Sequence, residues 1–270
     1  MTRWGKLLCT AAVLVGFGLP LAWLLATAFK SQPEFVRSPL GLPASADLAN
    51  YRHVLTQTGF VRFLLNSVVV SAVSVALTLA LAAPAAFVLS RYRFRGQQGL
   101  RLMLLFGLIV PIHITLLPLL KTLGPLGLAN SLFGLSLVYA GFGLALTIFM
   151  LKNAFDELPA EIEDASVIDG CSPVQLFVFV ALPLTRPALA VAAIYNFVMN
   201  FNEFAFALTL LNTPEKRTLP LGIQCLAGDY GYNVPALAAA MVLALVPAAM
   251  VFLVAQRQLV AGITSGAVKG

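Results

Sequence analysis

No charged residue occurs between Lys6 and Lys30, nor between Arg62 and Arg91. A helix needs about 20 predominantly apolar residues to cross hydrocarbon, where backbone groups must bond within their own segment. Residues 7–29 and 63–90 reach that length, and so do 102–120, 132–151, 187–211 and 235–255. None alternates polar and apolar side chains as a barrel strand would. The predicted fold is an all-α integral membrane protein with six transmembrane helices. Only 10% of the 270 residues are charged, against about 25% in soluble domains, and 60% are hydrophobic, which excludes a disordered chain. The first run starts after Arg3 and Lys6 and ends near Ala26-Thr27-Ala28, like a secretory signal. It outlasts the ~7–15 apolar residues of such signals, so it is read as a retained span.

Lys and Arg collect on the cytoplasmic flanks of spans. Ten of the 17 lie in the N-terminal tail, 91–101, 152–186 and the C-terminal tail, and seven lie in 30–62, 121–131 and 212–234. The densest cluster, Arg91, Arg93, Arg95 and Arg101, decides the orientation: both termini and 152–186 are expected in the cytoplasm. The organisation expected is a first helix and external segment over 1–62, a five-helix core over 63–257, and a cytoplasmic tail over 258–270. A net charge of +6 in such a chain reflects membrane-edge bases and calls for no nucleic-acid partner.

Sequence chemistry argues against catalysis. Cys9, Cys171 and Cys225 are odd in number and lack C-x-x-C spacing, so neither a disulfide framework nor a metal site is expected. His113, after Pro111 in the third run, reads as a packed residue beside prolines that can kink or open the helix. No G-x-x-x-x-G-K-[ST] phosphate loop is present, nor G-x-S-x-G or H-E-x-x-H. A self-contained secondary transporter would show internal repeats, and none is visible; it stays the alternative, with a membrane-embedded enzyme behind it.

Six of the eleven acidic residues fall between Asp156 and Asp169, where no bilayer requires them. Pro159 and the acids beside it suit a helix N-terminus, and Leu158, Ile162, Ala165 and Ile168 give that helix one apolar stripe. Gly170 suits the left-handed position that ends a helix. Ser172-Pro173 suits the start of a second helix over 174–182, stopped by Pro183. A solvated connecting loop is the plain alternative, but a loop this long is usually functional or disordered, and the periodicity opposes disorder. The element reads as a docking surface for another protein.

The run Ile162-Glu163-Asp164-Ala165-Ser166-Val167-Ile168-Asp169-Gly170-Cys171, with Phe177, Leu182-Pro183 and Pro187 beyond, resembles the EAA loop of ABC importer permeases. Asn50-Tyr51, Asn66-Ser67, Asn200-Phe201-Asn202-Glu203-Phe204 and the terminal Gly262-Ile263-Thr264-Ser265-Gly266-Ala267-Val268-Lys269-Gly270 are similar to further motifs of that family, the last to its MalG-like carbohydrate group. Asp164-Ala165-Ser166 stands where E-A-A is usual, and Cys171 where Ala is usual. The resemblance implies a bacterial or archaeal cell-membrane subunit paired with a second, homologous permease. It implies an ATPase dimer that docks on Glu163, Asp164, Ala165, Ser166, Asp169 and Gly170, and an extracytoplasmic solute-binding protein. Residues 212–234, on the external side, would by this resemblance contact that protein, with a simple solvated loop as the alternative. ATP and Mg would sit on the ATPase, with no cofactor on this chain, and the solute would be a sugar, a polyol, or a sugar or glycerol phosphate.

Glu203 is the one charge inside a span. An ionised carboxylate at the bilayer centre costs at least about 2.5–3.5 kcal/mol, so it must face protein, water or a partner. Asn196, Asn200 and Glu203 share one helix face, with Asn202 adjacent. Two readings stay open: a polar translocation pathway lined by these four residues, or interhelical hydrogen bonds that hold the bundle together.

Overall fold

The computed structural model describes residues 3–229 and 233–267. These residues are helical and carry no strand: α1 (Arg3–Ala28), α2 (Gln32–Arg37), α3 (Ala49–Gln57), α4 (Phe60–Arg91), α5 (Gln97–Ile109), α6 (Ile112–Leu123), α7 (Leu132–Asp156), α8 (Ala160–Ile168), α9 (Pro173–Leu184), α10 (Arg186–Phe201), α11 (Ala205–Leu210), α12 (Leu219–Asp229) and α13 (Val234–Ala267). They divide into two compact units, one built from the chain up to Leu65 with Thr218–Ala249, the other from Asn66–Arg217 with the chain from Met250 onward.

Among the described residues, α4 and α7 are each long and apolar enough to cross a membrane, at the places expected for the second and fourth spans. Two bent pairs reach the length if each counts as one span: α5 with α6, bent by 104°, and α9 with α10, bent by 75°. Shorter apolar stretches, Ala12–Ala28 and Val234–Pro247, lie in α1 and α13. The helix of α13 runs on to Ala267, and the last three residues of the Gly262–Gly270 motif fall outside the described residues.

In the first unit α1 turns Val13, Leu14, Phe17 and Leu19 outward, apolar surface that suits lipid. Its end is closed by Asn50, whose side-chain amide donates to the carbonyls of Ala28 (2.9 Å) and Lys30 (2.8 Å). Tyr51 packs on Phe29 with ring centroids 5.3 Å apart. Lys30 is buried, and its ammonium donates to the carbonyls of Ser38 and Pro39 at 2.9 and 3.1 Å, so its charge is partnered.

The second unit packs α4, α7 and α10 around small residues. Ala82, Ala83, Ala86, Ala145 and Ala192 line its core, and small side chains let helix backbones approach closely. Toward the ends of α4 and α7 the filling becomes aromatic: Phe87 sits 5.5 Å from Phe155 and 5.1 Å from Phe177 between ring centroids.

Three expected helices take a different course. The run 102–120 is not one span. Val110 is extended (ψ 118) before Pro111, because the proline ring disfavours helical backbone at the residue before it; Pro118 lies inside α6 without breaking it. The run 187–211 stops at Phe201 and resumes as α11. Pro183 does not end α9. Residues Leu176–Ala181 form a wide π turn whose last bond runs from the Leu182 amide to the Phe177 carbonyl, and the chain passes the proline to end at Leu184. The wide turn changes the backbone spacing that an interior proline would otherwise disrupt.

Closeness of α7 and α10 depends on Gly143, where an added Cβ would strike Asn196 Oδ1, whereas Gly141 has open space. Gly143→Ala is expected to cost about 1–3 kcal/mol by overpacking, and Gly141→Ala close to nothing. Thermal unfolding of the two variants in detergent checks the difference.

Candidate functional site

Two sets of polar residues stand out within the second unit. The first lies between helices. On α4, Ser67, Ser71, Ser74 and Thr78 are buried, at spacings that place them along one face. Asn196 is 2% exposed, and its amide donates to Thr147 Oγ1 and to the Ala192 carbonyl, both at 2.8 Å. The Asn200 amide donates to Ser74 Oγ at 3.1 Å. Tyr139 donates its hydroxyl to Glu203 Oε2 at 2.7 Å. The same carboxylate accepts the amides of Phe206 (2.9 Å) and Ala207 (3.3 Å), which open α11. Glu203 therefore breaks the fifth expected span and caps its continuation. Asn196 and Asn200 share a face of α10 that bonds it to α7 and α4, whereas Glu203, expected on the same helix face, lies in the break beyond Phe201 and bonds to α7 from there. Asn200 and Glu203 are half-buried, and Asn202 is exposed.

The second set is the acidic element. α8 begins at Ala160 after Pro159, with Glu161 and Glu163 in its first turn, where carboxylates favour the helix dipole. It ends as expected at Gly170, whose φ is +82. The Gly170 amide donates to the Val167 carbonyl and the Cys171 amide to the Ser166 carbonyl, both at 3.0 Å, the paired bonds of a Schellman ending. Ser172 and Gln175 then cap the start of α9 reciprocally. The anticipated helix–glycine–helix geometry is present, with the first helix over Ala160–Ile168 and the second starting at Pro173.

Orientation within α8 divides its candidate docking residues. Asp164, Ala165, Asp169 and Gly170 are exposed. Ser166 is buried and donates to its own helix at Ile162 (2.8 Å). Glu163 pairs with Arg91. The anticipated apolar stripe does not pack as one face: Leu158 lies against the core, while Ile168 is 85% exposed. Val167 and Val174 are exposed beside it. These three apolar residues belong to the element's outer surface together with the acids.

Sequence reasoning took Arg91 as a marker of the membrane edge, and the structure gives it a network. From the last position of α4 its Nε donates to Glu163, its Nη1 to Ser90 Oγ (2.9 Å), and its Nη2 to the carbonyls of Phe155 (2.6 Å) and Leu158 (3.4 Å). Ser90 in turn donates to Asp156 at 2.6 Å, and Lys152 pairs with Asp156. Nothing in the local sequence marks Arg91 apart from Arg93 or Arg95; the pairing is set by the packing of α4 on α7.

At the opposite end of this unit, Asn130 takes φ 51 and gathers residues 212–216. Its Oδ1 accepts the amides of Asn212 (3.1 Å) and Thr213 (3.2 Å), and its carbonyl accepts Lys216 Nζ (2.6 Å). The Asn66 amide donates to the carbonyls of Glu215 and Arg217, both at 2.9 Å. The segment is held in a fixed shape from two sides.

The family described as binding-protein-dependent transport system inner membrane component matches residues 72–265. The chain is 34% identical to the diacetylchitobiose uptake system permease protein NgcG of Streptomyces coelicolor, over 92% of this chain and 83% of that protein. It is 32% identical to the trehalose/maltose transport system permease protein MalG of Thermococcus litoralis, over 93% of this chain and 91% of the relative. Its fold is similar to a chain of a bacterial ABC transporter involved in the import of the acidic polysaccharide alginate, with a TM-score of 0.79 and 23% identity over 95% of this chain and 98% of that one.

Glu203 and Tyr139 yield a quantitative test. A hydrogen bond to a charged group contributes about 1.5–3 kcal/mol, whereas interhelical bonds within membranes average about 0.6 kcal/mol. A double-mutant cycle of Tyr139→Phe and Glu203→Gln, read by unfolding in detergent, is expected to give a coupling energy above that average.

Proposed function

Because the chain belongs to the family of binding-protein-dependent transport system inner membrane components, we propose that it is one permease subunit of an ATP-driven importer of carbohydrates. We assign it six membrane crossings with both termini in the cytoplasm. In this reading the bent pairs α5–α6 and α9–α10 each belong to one crossing, and α1 and α13 supply the outer two. The partners are a second, homologous permease that completes the pathway, an ATPase dimer on the cytoplasmic face, and an extracytoplasmic solute-binding protein that delivers the solute.

The observation that carries the ATPase assignment is the outer surface of α8 and the start of α9. Asp164 and Asp169 stand there beside exposed Val167, Ile168 and Val174. Exposed apolar side chains flanked by carboxylates suit a protein partner better than open water. The Schellman ending and the cap of α9 make the element stiff, which a part that transmits movement needs. Relatives whose names specify diacetylchitobiose and trehalose/maltose uptake support a carbohydrate solute. The proposed solute route passes Asn200, Asn202 and Glu203, which keep surface open; buried Asn196 supports that face from behind.

Complex recovered through a tag on this chain and reconstituted in vesicles is expected to accumulate one of a panel of labelled oligosaccharides only when ATP and the binding protein are supplied. Accumulation by this chain alone, driven by an ion gradient, would contradict the assignment. In the same assay Gly170→Val forces a branched side chain into a left-handed backbone at about 1–3 kcal/mol. It is expected to lower uptake per ATP hydrolysed or the recovery of the ATPase, and full uptake with normal recovery would remove Gly170 from the coupling element.

A further inference from the structure

We propose that Arg91 is a positioning residue that makes α8 and the end of α4 move as one body, so that displacement at the docking element enters a membrane-crossing helix through a side chain. The proposal rests on the reading of α8 as the ATPase-docking element. Through the chain itself α8 leads back to α7 by residues 157–159 and on to α9 by residues 169–172. The link to α4, 72 residues upstream of Glu163, is made by Arg91.

Guanidinium geometry suits this task. Its donors form a rigid planar fork, and here they reach separate segments: Glu163 on α8, Leu158 in the turn before it and Phe155 near the end of α7. A lysine at the same place offers charge without that fork. Side-chain exposure is 17% for Arg91 and 16% for Glu163, so the pair is screened from water and salt more than a surface pair would be. Ser166, the buried residue of α8, uses its hydroxyl within its own helix and leaves the crossing to Glu163. One turn before Arg91, Phe87 packs on Phe155 of α7 and Phe177 of α9, an apolar contact that holds the end of α4 beside the polar link.

The test places spin labels at Glu161→Cys on α8 and Val88→Cys on α4, both exposed, after Cys9, Cys171 and Cys225 are replaced by Ser. Complex recovered through this chain is measured in lipid nanodiscs without nucleotide and after trapping with ATP and vanadate. With Arg91 present the label distance is expected to stay unchanged between the two states. In Arg91→Ala it is expected to shift by ~2 Å or more, or to broaden, while ATP hydrolysis continues. Arg91→Lys and Glu163→Gln each keep part of the link and should fall between; they carry the test if Arg91→Ala cannot be recovered. A distance that changes equally with Arg91 present, or stays fixed in all three variants, overturns the proposal, even if those variants lower complex yield. Recovery of the native chain with no ATP-hydrolysing partner overturns the reading on which the proposal stands.

Discussion

A polar side chain in hydrocarbon has no water to fall back on, so it must find its partner in the protein. That constraint determines which helices of this chain meet. Asn196 finds Thr147 and Asn200 finds Ser74, which join α10 to α7 and α4, and Glu203 finds Tyr139, which joins the break after α10 to α7. The small residues around them, Gly143 above all, bring the backbones close enough for such short groups to touch. Where the membrane-crossing helices end the rule changes form: Arg91, Glu163, Asp156 and Lys152 pair with one another, and the acidic helix is fixed by that pairing.

A second device recurs wherever a segment must be held without regular structure. Asn50 spreads its amide across the carbonyls of Ala28 and Lys30, and Asn66 does the same to Glu215 and Arg217. Each pair of carbonyls straddles a helix end: Ala28 closes α1 and Lys30 lies beyond it, and Glu215 lies in the short 3-10 turn Pro214–Lys216 and Arg217 just beyond it. A side-chain amide supplies the donors that backbone lacks. This gives the Asn-Tyr and Asn-Ser pairs, visible in the sequence as motifs, a structural reason that motif matching does not supply.

Length and hydrophobicity made α4 and α7 legible in the sequence, and cap chemistry made α8, Gly170 and the Ser172 start of α9 legible, since each rests on residues a few positions apart. What stayed hidden depends on distant partners or local compensation. Pro183 reads as a stop, but the π turn over Leu176–Ala181 carries the helix past it. Glu203 reads as a charge inside a continuous helix, whereas its carboxylate replaces backbone partners at the start of α11. The Arg91–Glu163 pair joins residues that no local pattern connects. Exposure of Val167 and Ile168 was equally illegible, because helical spacing shows which residues share a face and not whether that face is covered.

What contacts the exposed face of α8 decides the role of this chain. A photo-activatable cross-linker at Ile168, irradiated in membranes carrying the complete complex, tests it most directly. The predicted product is an adduct with a separate chain that binds ATP, and its yield should change when nucleotide is trapped. Adducts confined to lipid or to other membrane subunits would contradict the account.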